Sequence, residues 1–181
     1  DDRNIPIDQV GVKDLSYPIV LLDRENEIQR TVASINMYVN LPHDFRGTHM
    51  SRFVEILNEH HKHLKIDTIG QVLRRMKKKL DAEESHIEMF FPYFQEKEAP
   101  VSKAKSLTEY QCSFAGKLDD KIDIVLGVKV PVTTLCPCSK EISKQGAHNQ
   151  RSYISIQIRY NALVWIEELI EMAEMAASSP V

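Results

Sequence analysis

The chain has 181 residues, of which 43% are apolar and 27% charged, and its formal net charge is −3 at pH 7. Such a composition belongs to a globular protein that buries its own core, and it excludes a general electrostatic attraction to nucleic acid or to an anionic membrane. Its three cysteines, Cys112, Cys136 and Cys138, are odd in number and lack framework spacing, which excludes a disulfide scaffold and fits a reducing, cytoplasmic compartment. No apolar run approaches the length of a membrane span, and no signal-peptide pattern opens the chain. The first residues are Asp1-Asp2-Arg3 and the last are Ser178-Ser179-Pro180-Val181, just past an amphipathic helix without a partner, so a longer polypeptide is expected.

In chain order, Asp1 to Leu15 shows little period and reads as an extended arm. Tyr17 to Leu22 is a short apolar strand, Asp23 to Glu27 a polar turn, and Arg30 to Asn40 an alternating strand with Ala33, Ile35, Met37 and Val39 on one face. Together they predict a hairpin. After the break at Leu41 to Gly47, Thr48 or Ser51 caps a helix marked by Phe53, Val54, Ile56, Leu57 and Leu64. Asp67 caps a second helix with the stripe Ile69, Val72, Leu73, Met76 and Leu80. The basic run Arg74-Arg75 and Lys77-Lys78-Lys79 near its end suits the helix dipole and, with no aromatic residues interleaved, reads as a solvated face rather than a nucleic-acid patch. His60, His61 and His63 do not share one helix face and read as solvated rather than as a metal cluster.

Two further strands are predicted. His86 to Phe94 turns Ile87, Met89, Phe91 and Tyr93 inward, and Leu107 to Gly116 turns Thr108, Tyr110, Cys112 and Phe114 inward, with a loop from Glu96 to Lys105 between them. The order then restarts. Ile122 to Val132 alternates, a polar loop follows, Tyr153 to Tyr160 forms a strand with Ile154, Ile156 and Ile158 inward, and Asn161 caps a helix carrying Leu163, Ile166, Leu169, Ile170 and Ala173. The reading is an α+β fold: an antiparallel sheet with paired helices on one face, in the order strand-strand-helix-helix-strand-strand, followed by an incomplete second unit. Its parts are an arm over residues 1–15, a first unit over 16–118 and the first part of a second over 119–181. Open sheet edges are normally paired or covered. Units side by side, in several chains, close such sheets into a wide barrel, so a homo-oligomer is expected with ligand sites where sheets meet.

The loop from Thr133 to Ser152 carries the chemistry. Cys136 and Cys138 stand twelve and ten residues ahead of His148, with a strand on each side. Thiolate and imidazole are good ligands for zinc and its neighbours, and the same loop suits a thiol nucleophile. Pro137 turns the chain between the two cysteines, so one faces the site and the other supports it. The paired Cys-x-x-Cys of closed structural zinc sites is absent. One cysteine with His148 and further ligands from elsewhere is one reading. Two buried cysteines beside a histidine that bonds backbone is the other.

The run Pro131 to Ser143, with Gly146-Ala-His-Asn-Gln-Arg-Ser152, closely resembles the type IB GTP cyclohydrolases of the tunnelling-fold superfamily. Arg3 to Asp8, Gly47 to Phe53 and Phe91 to Phe94 resemble that family too, so the likeness covers essentially the whole chain. The resemblance implies a tunnelling fold in tandem repeat and an enzyme that turns GTP and water into 7,8-dihydroneopterin triphosphate and formate. It implies a divalent metal (zinc, manganese or iron) on Cys136 and His148, with the family's remaining Glu and His ligands in a C-terminal part that has no match here. It also implies a homo-oligomer, with a tetramer favoured. Cys138 is then a supporting thiol, and His49, Ser51, Arg52 and Arg151 are candidates for the triphosphate, the first three at a helix start where backbone N–H groups attract anions. Helix capping alone also explains Gly47 to Phe53, and Lys140 and Glu141 read as a solvated pair rather than an acid and base. Two other functions share the fold or the ligands: a nitrile reductase with a cysteine nucleophile and NADPH, and a non-catalytic nucleotide- or metal-binding module with a protein partner.

Overall fold

The structure, a computed structural model, describes residues 7–41, 49–59, 68–99, 102–135, 149–160, 163–177 and 179–180. The elements run β1 (Ile7–Asp23), β2 (Glu27–Leu41), α1 (Ser51–Glu59), α2 (Ile69–Lys79), β3 (Ser85–Glu98), β4 (Lys105–Leu118), β5 (Ile122–Leu135), β6 (Asn149–Arg159), α3 (Ile166–Ala176) and β7 (Ser179–Pro180). Six strands form one antiparallel sheet in the order β1-β2-β3-β4-β5-β6, and β7 adds to β5. The predicted α+β class and element order are observed.

Alternation decides which face is covered. Most positions of the inward faces of β2, β3, β4 and β5 are buried, among them Ile35 and Met37, Ile87 and Met89, Tyr110 and Phe114, Leu126 and Val128, whereas Thr108, Ile122 and Ile124 are half-buried. Each strand is longer than its apolar run because pairing continues through polar residues at the ends. The stretch read as an arm is extended, and from Ile7 onward it is paired with β2. Register shifts between Ile7 and Val10 and between Val12 and Leu15 erase the period of two that marks a strand in sequence. At the second shift Asp14 takes a positive φ of 56° and donates its backbone N–H to Asn36 Oδ1 at 2.9 Å. Beside it, a Cβ on Gly11 would overlap the carbonyl oxygen of Met37.

The helices follow their stripes with local differences. In α1, Phe53, Ile56 and Leu57 are buried, whereas Val54 is 40% exposed and lies off the buried face. Leu64, Thr48 and Asp67 lie outside the described residues, as do His60, His61 and His63. The stripe of α2 is buried as read, and part of its basic run is a fastening. Arg75 Nε meets Glu59 at 2.8 Å, Lys79 Nζ meets Glu55 at 2.8 Å, and Lys77 Nζ donates to the carbonyl of Asp119 at 2.6 Å. These bonds hold α1 to α2 and α2 to the β4–β5 turn.

The last helix starts later than predicted. It begins at Ile166 after an extended Trp165, so Leu163 precedes it and is 64% exposed. Asn161 lies outside the described residues. Glu167 and Glu168 in the first turn suit the positive end of the helix dipole. Ile166, Leu169, Ile170 and Ala173 pack on the sheet. Glu167 and Glu174, two helical turns apart on the same face, accept hydrogen bonds from Tyr93 at 2.6 Å and Tyr110 at 2.9 Å. Those tyrosines are direct cross-strand partners on β3 and β4. Burial, reinforced by the two carboxylates, pushes both phenols well above their usual range.

Gly11→Ala forces β1 away from β2 at the bulge, and a loss of about 1–3 kcal/mol is expected, read from the midpoint of urea unfolding. An unchanged midpoint would show that the two strands are not held this closely.

Candidate active site at the β5 to β6 hairpin

β5 and β6 pair without a register shift from Val125↔Arg159 to Leu135↔Asn149. That last rung is where the described hairpin ends. Cys136, Cys138, Lys140, Glu141 and His148 lie outside the described residues. Cys136 is the next residue in the chain after Leu135, and His148 is the one before Asn149. The frame under this rung is braced on both sides. Thr134 Oγ1 lies 3.1 Å from Ser152 Oγ and 3.3 Å from the carbonyl of Gln150, while β7 pairs with Val132 and Thr133 along the other edge of β5.

Register also sets which side chains stand together. The pairs Lys129↔Ser155, Pro131↔Tyr153 and Thr133↔Arg151 place Lys129, Tyr153 and Arg151 on one face, opposite the helices. Lys129 Nζ sits 4.5 Å from the centroid of the Tyr153 ring, a cation–π contact that positions the ammonium group. Arg151 is exposed. Among the described residues, no carboxylate pairs with either cation. Next to them lies a groove of about 450 Å³ whose lining includes Phe90, Gln111, Ser113, Lys129 and Gln157. The ladder Phe90↔Ser113↔Gly127↔Gln157 crosses its floor. Gly127 keeps that floor low, because a Cβ there would collide with Ser113 Oγ.

The remaining candidates stand elsewhere. His49 and Ser51 are exposed and Arg52 is half-buried at the start of α1, where the His49 carbonyl accepts the Arg52 N–H at 3.0 Å. That helix packs over the first hairpin through a 3.0 Å bond from the Tyr17 hydroxyl to the carbonyl of Leu57. Four strand spacings separate β2 from β6, about 19 Å, so a single chain does not bring His49, Ser51 and Arg52 beside Arg151. Cys112, the third cysteine, is buried, and burial with the nearby Glu167 charge pushes its thiol up to about 12. It is inert as a nucleophile at neutral pH. Among the described residues, no group of three or more His, Cys, Asp or Glu side chains is placed to hold a metal. Lys129 and Tyr153 were missed by sequence reasoning. The signal available was their shared parity across the hairpin, which requires the register to be known.

Comparison with known proteins gives the family of the whole chain. A family model described as type I GTP cyclohydrolase FolE2 matches residues 1–181. The GTP cyclohydrolase FolE2 of Citrifermentans bemidjiense is 61% identical over 181 residues, which cover all of this chain and 68% of that protein. That of Geobacter sulfurreducens is 59% identical, covering all of this chain and 70% of its own length. That of Syntrophobacter fumaroxidans is 53% identical over 183 residues, covering all of this chain and 71% of its own length. The chain belongs to the type I GTP cyclohydrolase FolE2 family.

Proposed function

We propose that the end of the β5–β6 hairpin is the reaction centre of this chain, with a divalent metal (zinc, manganese or iron) held by Cys136 and His148. As a member of the family the chain is a GTP cyclohydrolase, the enzyme of the first step of folate and pterin biosynthesis. The reaction takes GTP and water to 7,8-dihydroneopterin triphosphate and formate. Water adds at C8 of the imidazole ring, ring opening leaves a formamide, and a second hydrolysis releases that carbon as formate. The ribose then rearranges and the ring recloses.

One observation carries the placement: the unshifted pairing that ends at Leu135↔Asn149. Neighbouring Cα atoms are about 3.8 Å apart across a trans peptide. Covalent connectivity therefore tethers Cys136 and His148 to the two ends of a single rung. A thiolate and an imidazole form a donor set that suits zinc, iron or manganese, so the residues fit the group. When bound, the ion supplies the Lewis acidity that makes water a competent nucleophile at neutral pH. The chain's own residues do the rest. Arg151 and Lys129 bind phosphate oxygens, Tyr153 keeps Lys129 in place, and Cys138 supports the ligand thiol. The groove over Gly127, at about 450 Å³, is within the range of small-molecule sites.

His49, Ser51 and Arg52 enter this scheme from a neighbouring copy, since within one chain they stand too far from Arg151. Among the described residues, β1 and β6 end the six-strand order. Pairing or covering those edges in a cytoplasmic homo-oligomer, a tetramer of tandem tunnelling-fold units divided near residue 118, completes the site.

Cys136→Ala and His148→Ala are each expected to strip the metal and to slow formate release from GTP at least about 100-fold, since even residues that only orient a ligand cost 10–100-fold. Metal analysis beside a formate assay reads both, and full turnover by Cys136→Ala would remove the proposed chemistry. Arg151→Ala, which loses charge-assisted bonds of about 1.5–3 kcal/mol, is expected to raise KM for GTP by roughly 10–100-fold with kcat little changed. An unaltered KM would take Arg151 off the phosphates.

A further inference from the structure

A second site of different chemistry lies between the first hairpin, β3 and α3. β2 and β3 pair only from Ser34↔Phe90 to Val39↔Ser85. Toward the β1–β2 turn the strands part, and a crevice of about 420 Å³ opens between the hairpin, the end of β3 and α3. Gln29 bridges the parting. Its amide nitrogen donates to the Phe94 carbonyl at 2.7 Å, and its amide oxygen accepts the Phe94 N–H at 2.8 Å.

The crevice is rich in buried acceptors. Asp23, 5% exposed, accepts from the backbone N–H groups of Glu25 at 2.9 Å and Asn26 at 2.7 Å, from Gln29 Nε2 at 3.2 Å, and from Asn26 Nδ2 at 3.3 Å to each of its oxygens. Glu167, 3% exposed, accepts at Oε1 from the Tyr93 hydroxyl at 2.6 Å and the Arg24 N–H at 2.7 Å. Its Oε2 is buried with no hydrogen-bond partner, and so is Gln95 Oε1. The nearby cations are engaged at the rim: Lys105 with Glu96 at 2.8 Å, and Arg24 3.9 Å from Glu168. Among the described residues, no lysine or arginine pairs with Asp23 or Glu167.

Buried polar atoms are nearly always bonded, and buried charges are nearly always compensated. Two carboxylates without a cation and two acceptors without a donor therefore share a single requirement: positive charge that carries N–H groups. A bare metal ion is a poor answer. It fills little of the space, and no trio of metal-binding side chains gathers here among the described residues. We propose that the crevice binds a small organic cation with several N–H donors, a guanidinium or primary ammonium compound, through Glu167 Oε2, Gln95 Oε1 and the Asp23 carboxylate. Such a ligand fastens the first hairpin to α3. None of its contacts belongs to the β5–β6 frame, so this site stands or falls independently of GTP turnover.

The probe is agmatine, which carries a guanidinium at one end and an ammonium at the other. The control is hexamethonium, which has the same charge but no N–H group. Calorimetric titration of the purified chain at low salt is expected to show one agmatine per chain and no comparable binding of hexamethonium. Agmatine is expected to raise the thermal unfolding midpoint. Glu167→Gln keeps an oxygen for the Arg24 N–H, and Gln95→Leu removes the other acceptor. Each is expected to weaken agmatine at least about tenfold, as the loss of one charge-assisted bond requires, with circular dichroism confirming that both variants fold. Four results would overturn the proposal: no agmatine binding at millimolar concentration, equal binding of hexamethonium, tighter binding of magnesium than of agmatine, or unchanged affinity in both variants.

Discussion

The antiparallel register of β5 against β6 is the constraint on which the functional reading rests. In an antiparallel pair the residue numbers of opposed partners add to a constant, so one unbroken ladder decides what faces what along its whole length. Here the ladder runs from Val125↔Arg159 to Leu135↔Asn149 without a bulge. It ends at Leu135↔Asn149 and sets Lys129, Tyr153 and Arg151 together on one face. A slip of a single residue would move every side chain of one strand to the other face. Thr134, Ser152 and β7 resist such a slip from both sides of β5.

The rest of the fold keeps that hairpin in position. β4 pairs with β5 through a continuous ladder, and α3 packs on β5, β6 and β7. Its apolar stripe is ordinary, but its carboxylates are not. Glu167 and Glu174 reach Tyr93 and Tyr110, a cross-strand pair on β3 and β4, and Glu167 also takes the Arg24 N–H from the first hairpin. Lys97 completes the contact with a 2.8 Å bond to Glu174. The second half of the chain is thus locked to the first by directional bonds, one buried and three half-buried. Removing one partner leaves an unsatisfied polar group behind, which costs more than the bond itself contributes.

Much of this was legible in the residues. Periods of two and 3.6 gave the inward faces of β2 through β5 and the stripe of α2, because in those elements one face meets apolar atoms and the other does not. The start of β1 was not legible, since bulges near Val10 and Leu15 break the alternation. Val54 and Leu163 are apolar residues at plausible helical spacing, yet they lie off the buried face and before the helix. The loop with Cys136, Cys138 and His148 announced itself by residue type. Lys129 and Tyr153 did not, for a cation–π pair across strands depends on register. Glu167 drew no notice in the residues, because nothing local reveals a tyrosine hydroxyl 74 residues away in sequence. His49, Ser51 and Arg52 were readable as a helix start, but their distance from Arg151 follows from strand order alone.

The account's central claim is that Cys136 and His148 share one metal ion, and X-ray absorption at the metal edge of the loaded protein tests it most directly. For zinc it expects a single sulfur at about 2.3 Å with lighter nitrogen or oxygen atoms at about 2.0–2.2 Å. The sulfur shell should vanish in Cys136→Ala and persist in Cys138→Ala. A spectrum with no sulfur neighbour, or one whose sulfur follows Cys138, would contradict it.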